Sequence, residues 1–252
     1  MNAQRRKEWF DDESFWEATY PFMFPRSRFE DTPGQMDQVL QLVKPEGKAI
    51  LDLCCGPGRC SVVLAARGFE VTGVDRTEFL LKKAKSRARR AKVRIEWVKS
   101  DMRDYVQKQR FDLVLSMFTS FGYFDRKEED LQVLQNMLTS LKSGGSVVID
   151  VMGKERLAGI FQPASSEMLA NGTRIVQTHE IIDDWTRVRN EWLLIRNGRS
   201  RSFKFHHTIY SGQELRDRLE QVGFHQVKLY GSLDGEEYGI QAKRLIAVAQ
   251  KP

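Results

Sequence analysis

Cysteine is scarce in this chain: three residues in 252, all between positions 54 and 60. So sparse and odd-numbered a set argues against a disulfide framework and for a reducing compartment, with the cytoplasm as the expected location. The four histidines, at 179, 206, 207 and 225, lie far from those cysteines. Without paired CxxC knuckles and nearby further ligands, no metal site is expected. Cys54 and Cys55 are adjacent and point in opposite directions at a strand end, so neither a redox pair nor an unstrained disulfide is expected. No apolar run reaches the roughly 20 residues of a membrane span. The opening MNAQRRKEWFDDESFWEATY has basic residues but no apolar stretch behind them, which argues against a secretory leader. Internal repeats and low-complexity linkers are lacking as well. With 41% apolar and 29% charged residues the composition is that of a globular chain. Its length suits one large α/β domain, or one domain with an embellishment.

Acidic residues are missing from one stretch. Lys82 to Arg94 holds eight Lys or Arg and no acid; outside it the chain has 32 basic against 34 acidic residues. The net charge of +6 is therefore the property of one helix. Leu80, Leu81, Ala84, Ala88 and Ala91 form its apolar stripe, so its charges turn outward. A solvated face is the plain reading and a polyanion-binding surface the sharper one. No aromatic residue interrupts the stretch to favour the latter.

From Ala49 onward, short β-rich runs (AILDLC, EVTGVD, IEWVKSD, FDLVLSM, SVVIDVM) recur with helical stretches between them. These stretches are the segment after Gly58, the basic helix, and Glu128 to Leu141, whose continuation ends in a glycine pair suited to a helix stop. Such alternation predicts a parallel sheet covered by helices on both faces. Residues 173–183, 186–196 and 200–209 then read as three antiparallel strands, with turns at Asp183-Asp184 and Asn197-Gly198. Gly212 to Gly223 reads as a helix, and QVKLYGS and RLIAVAQ as the strands that resume the main sheet. Residues 1–48 are expected to form a helical, aromatic cap, 49–152 a cofactor-binding core, 153–210 an antiparallel insertion, and 211–252 the end of the core sheet.

Residues 51–61, LDLCCGPGRCS, place a glycine turn between the first strand and a helix, where α/β sheets bind nucleotide-like cofactors. The dinucleotide fingerprint is incomplete, because Ser61 stands where its third glycine would be. Asp52 beneath the turn would repel a pyrophosphate but suits a ligand with an ammonium group. S-adenosylmethionine has that group, a sulfonium and no phosphate.

The series LDLCCGPGRCS, VTGVD, SDMRD and FDLVLSMFTSFGYF resembles the motifs of class I S-adenosylmethionine-dependent methyltransferases, of the kind acting on small molecules. The resemblance runs from about residue 36 and includes HTIYSGQELRDRLEQVGFHQVKLYGS near the end. It implies an α/β, Rossmann-like fold: a seven-stranded, mostly parallel sheet, its last strand antiparallel, with a small antiparallel insertion before the sixth strand. It further implies that Asp52, Cys54, Gly56 and Gly58 meet the methionine part of the cofactor. Asp75, with Arg76 beside it, would take the ribose hydroxyls, Asp101 and Met102 the adenine, and Met117 and Phe118 the space under the sulfonium. Cys54 departs from the family, which most often has its first glycine there.

Methyl transfer needs alignment, exclusion of water and, for some acceptors, removal of a proton. Trp16, Tyr20, Phe22, Phe24, Phe121 and Tyr123 are the candidate pocket aromatics, suited to a cationic sulfonium. His179, His206 and His207 are candidate bases, of which at most one serves, since alternation sends His206 and His207 to opposite faces. The segment after the fourth strand, Ser116 to Thr119, lacks the (N/D)-P-P-(Y/F) pattern of amino-methylating enzymes for bases or glutamine. No cysteine lies beyond Cys60 to serve as a cytosine-C5 nucleophile. The expected reaction is thus O-, N- or C-methylation of a small molecule, without nucleic acid or membrane, the insertion serving as a lid or homodimer surface. The alternatives are RNA or protein methylation guided by residues 82–94, and a cofactor-binding regulatory module without catalysis.

Overall fold

The computed structural model describes residues 8–252; the first seven residues of the expected cap lie outside that range. A 3-10 turn at Trp9–Asp11 leads into α1 (Glu13–Met23) and α2 (Arg26–Val43). Asp12 caps α1 by accepting from the Ser14 N–H at 3.0 Å. Pro25, which has no N–H to leave unsatisfied, stands at the N-cap of α2.

The core then alternates: β1 (Ala49–Leu53), α3 (Arg59–Ala66), β2 (Glu70–Asp75), α4 (Glu78–Ala91), β3 (Glu96–Lys99), β4 (Phe111–Ser116), α5 (Lys127–Ser140) and β5 (Leu141–Val151). After it come α6 (Lys154–Ile160), β6 (Ala164–Met168), β7 (Arg174–Ile182), β8 (Arg187–Arg196), β9 (Arg199–Thr208), α7 (Gly212–Val222), β10 (His225–Tyr230) and β11 (Leu245–Gln250). Seven strands form one sheet in the order β10-β11-β5-β4-β1-β2-β3. β11 runs antiparallel to both neighbours, β5 and β10, and the other pairings are parallel. That is the expected sheet.

The central strands are apolar because both their faces are covered. Leu51, Val114, Val147 and Ile149 point into one hydrophobic cluster, with Val133, Leu134, Leu215 and Leu219 of α5 and α7. Their alternates Ile50, Leu113, Leu115 and Val148 point into another, with Met36 and Val39 of α2 and Leu64 of α3. α4 behaves as its pattern predicts: Leu80, Leu81, Ala84 and Ala88 are buried, while Lys82, Lys85, Arg89 and Arg90 are exposed. Ala91, counted in the stripe, is exposed instead. Among the described residues, no helix is long and apolar enough to cross a membrane.

Three expectations change in detail. α5 ends at Ser140, ahead of Gly144-Gly145, because fully buried Leu141 turns extended to pair with Phe111. The glycine pair lies inside β5, where a Cβ on Gly145 would come within 3.0 Å of the Leu141 side chain. The insertion contributes its own sheet of four strands, β6-β7-β8-β9, not three. β6 was hidden because ASSEM is a mostly exposed edge with no apolar alternation. α6, short and without a buried residue, was hidden for the same reason.

The insertion's sheet is tied to the cap by aromatic rings. Trp9 stacks on Phe205 with centroids 4.7 Å apart, and Phe15 meets Phe203 edge-on at 5.3 Å. The cap is thereby clamped between the core and the insertion.

Candidate active site

Where β1, β2 and β4 end, their loops and the cap enclose a cavity of about 190 Å³. Of the expected cofactor residues, Asp52, Cys54, Gly56, Asp75, Arg76, Asp101, Met102, Met117 and Phe118 line it. Trp16, Phe24 and Tyr123 line it among the expected aromatics. Gly58 does not; it is where α3 passes α4, and a Cβ there would stand 2.9 Å from Trp97 and 3.1 Å from Ala84. Tyr20 packs against Phe24 and Phe79, Phe22 against Trp192, and buried Phe121 against Tyr210.

The turn after β1 is held in left-handed backbone at Cys54 (φ 60°), Gly56 (φ 55°) and Gly58 (φ 75°). A side chain on left-handed backbone costs roughly 1 kcal/mol, so Cys54 carries a strain that a glycine there would not. Cys54 turns its sulfur to the Met102 thioether at 3.5 Å. All three cysteines are free, and burial pushes their thiols well above the usual range.

Three carboxylates follow one another along the cavity. Asp52 is 3% exposed and accepts from the Ser61 N–H at 3.0 Å and hydroxyl at 2.5 Å. Burial outweighs those bonds and raises its pKa to about 6. Asp75 accepts from the Gly56 N–H at 2.9 Å and the Thr77 N–H at 2.8 Å, so it fixes the turn as well as lining the cavity. Burial raises its pKa too, opposed by the same bonds. Burial would also raise Asp101, but hydrogen bonds from Arg103 and the charges of Arg103 and Arg76 hold it below the ordinary value. Arg103 is 2% exposed and joins Asp101, Glu8 and Glu129, each at 2.7 Å or less. Arg76 pairs with Asp101 at 2.7 Å and with Asp11. The 3-10 turn is thus latched over this end of the cavity by charge.

None of the three candidate bases lines the cavity. His207 tilts against Tyr123, with ring centroids 5.3 Å apart, and burial lowers its pKa to about 4. His179 bonds the Asn190 amide at 2.7 Å, and the Asn190 amide nitrogen lies 3.3 Å from His207. His206 lies on the other face, 2.9 Å from Asp125. Arg28, Arg59, Trp9, Phe10 and Phe124 also line the cavity, and no motif had singled them out. Trp9 and Phe10 stand in the stretch WFDDESFW, whose aromatic density was the available signal.

The donor set fits S-adenosylmethionine. An ammonium, two ribose hydroxyls and an adenine amino group can each meet a carboxylate, whereas a pyrophosphate would meet three of them. Residues 50–145 match the family model described as a methyltransferase domain. The chain is 27% identical over 213 residues to "Putative methyltransferase YqeM" of Bacillus subtilis (strain 168), covering 82% of this chain and 85% of that one. It also shares its fold with a solved S-adenosylmethionine-dependent methyltransferase from Clostridium acetobutylicum ATCC 824, at a TM-score of 0.78 and 13% identity, over 94% of this chain and 98% of the other.

Together these findings support a class I S-adenosylmethionine-dependent methyltransferase.

A further structural neighbour of this methyltransferase is CalS10 of Micromonospora echinaspora, solved with S-adenosylmethionine bound and described as an amino pentose methyltransferase. Its TM-score is 0.69 at 19% identity, with full coverage of both chains.

Proposed function

We propose that this methyltransferase transfers a methyl group to an oxygen, nitrogen or carbon of a small-molecule acceptor. The observation that carries the reading is the roof over the cavity. Trp9, Phe10, Trp16 and Phe24 of the cap line the cavity together with Tyr123, whose ring meets Trp9 edge-on at 5.4 Å, and this aromatic wall suits a compact acceptor better than a polymer strand. The amino pentose named for CalS10 is an acceptor of this size class.

When bound, S-adenosylmethionine supplies a methyl group on a sulfonium. Asp52 would face its ammonium, Asp75 its ribose hydroxyls, Asp101 with Met102 its adenine, and Met117 with Phe118 the reacting centre. The aromatic roof excludes water and offers ring faces to positive charge. Tyr123, raised by burial to about 12, stays a neutral phenol beside the acceptor space. His207 stays neutral behind it, so Tyr123 and His207 shape the wall without adding charge.

Incubation with tritium-labelled methyl donor tests the reading against three substrate pools from a cell extract: metabolites, RNA and protein. Label in the metabolite pool is expected. Label confined to RNA or protein would overturn the acceptor class, and failure of the cofactor to bind at millimolar concentration in calorimetry would overturn the cofactor assignment.

A further inference from the structure

Arg59 is 6% exposed and has no carboxylate within ion-pair distance among the described residues. Guanidinium groups are seldom taken out of water without an anion. The acceptors around this one are neutral: Thr32 Oγ1 at 3.3 Å from Nε, and the Arg28 carbonyl at 2.9 Å and Gln35 Oε1 at 3.3 Å from Nη2. Nη1 has no acceptor among the described residues. Beneath the guanidinium, 4.0 Å away, lies the ring of Phe118, and both residues line the cavity.

Arg28 lines the same end from the solvent side, with Nη1 on the Met23 carbonyl at 2.8 Å and no ion-pair partner among the described residues. Next to Phe118, the Thr119 hydroxyl accepts from Arg244 at 3.0 Å. Among the described residues, only Arg244 of the three arginines pairs with a carboxylate, Asp150 at 2.6 Å. Asp31, Asp52 and Glu167 act on Arg28 or Arg59 only at longer range. Among the described residues, one wall of the cavity therefore keeps two positive charges that no carboxylate pairs at ion-pair distance. A guanidinium fork matches a carboxylate or phosphate in shape as well as charge.

We propose that the methyl acceptor is an anion, a small molecule whose carboxylate or phosphate is received between Arg28 and Arg59 at the Phe118–Thr119 end of the cavity. The proposal rests on the small-molecule reading above and specifies its substrate class. The cofactor's methionine end also carries a carboxylate, but one carboxylate fills one fork, and Arg28 is the solvent-exposed one of the two arginines.

The test uses the full chain saturated with S-adenosylhomocysteine, so that the cofactor's carboxylate is already in place. Benzoate, phenyl phosphate and neutral benzamide are titrated in, with the fluorescence of Trp9 and Trp16 as the signal. At least one anion should bind about ten-fold or more tightly than benzamide, as expected for a charge-assisted pair. Arg28→Gln should abolish that preference and Arg28→Lys retain part of it, with the melting temperature unchanged because Arg28 is exposed. Equal binding of all three probes, or of none, would overturn the proposal. So would an Arg28→Gln variant that weakens S-adenosylhomocysteine but not 5′-methylthioadenosine, which lacks the carboxylate; the arginine would then serve the cofactor. If the parent protein binds neither nucleoside, the cofactor assignment itself falls, a result distinct from the loss of anion preference.

Discussion

At one end of the cavity Arg76 and Arg103 share Asp101, Glu8, Asp11 and Glu129; at the other, Arg28 and Arg59 have, among the described residues, only carbonyl, amide and hydroxyl oxygens. The same side chain thus performs two tasks. Where every guanidinium meets a carboxylate, the arginines hold the chain together and hold Asp101 in its ionised form. Where the guanidiniums lack counterions, the charge is available to a ligand. The difference teaches that a residue type in a pocket says little until its partners are counted.

The largest effect should come from breaking the paired end. Arg103→Ala would leave Asp101, Glu8 and Glu129, all mostly buried, facing one another without their shared cation. Removing one partner of a buried ion network costs about 3–5 kcal/mol, so chemical denaturation should show a loss of that order. Arg28→Gln at the other end should cost almost nothing by the same measure. Equal losses at both ends would erase the contrast.

A second test titrates Asp52, whose pKa rises from 3.8 to about 6 on burial. The folded state then holds its proton more tightly than the unfolded one. The stability this group contributes is present below about pH 4 and is lost as pH rises through 6, to an extent on the order of 3 kcal/mol. Cofactor affinity should run the opposite way, rising through the same window as the carboxylate ionises to meet an ammonium. Asp52→Asn should flatten both slopes relative to the parent. Asp130, raised to about 6 by burial, contributes a parallel stability slope in both proteins. An unaltered pH dependence of cofactor binding in the variant would remove Asp52 from the ammonium site.

Asp75 lies between the two ends. Asp75→Ala should weaken cofactor binding by about 1.5–3 kcal/mol through lost hydrogen bonds to a charged group. Because Asp75 also accepts from Gly56 and Thr77, a modest fall in melting temperature should accompany it. An unchanged dissociation constant in calorimetry would mean that the ribose lies elsewhere.

Much of this was legible in the chain itself. The sheet was, because strands buried on both faces must be apolar runs, and the glycine turn was, because its backbone is left-handed. The ends of the cavity were not. Arg59 reads as an ordinary helix residue in GPGRCS until Thr32, Gln35 and the Arg28 carbonyl are seen around it, and these come from a helix 24 to 31 residues away. Arg103 draws its partners from Glu8 and Glu129, at sequence separations of 95 and 26. Long-range company of this kind leaves no local pattern. The histidines illustrate the converse: strand alternation separated His206 from His207, but the ring of Tyr123, which stands beside His207, has no signature in the insertion.

The smallest expected effect concerns the turn that both ends share. Cys54 holds a φ of 60° with a side chain in place, where glycine carries no penalty. Cys54→Gly should therefore relieve about 1 kcal/mol of backbone strain, offset in part by the greater freedom of glycine in the unfolded chain and by the lost contact with Met102. A net gain of a few tenths of a kcal/mol is expected in denaturant unfolding. The substitution changes no charge, so the stability cost of Arg103→Ala and the anion preference set by Arg28 should both persist in the Cys54→Gly background. A loss of either would show that the turn's conformation, and not the count of carboxylates around each arginine, separates the two ends of the cavity.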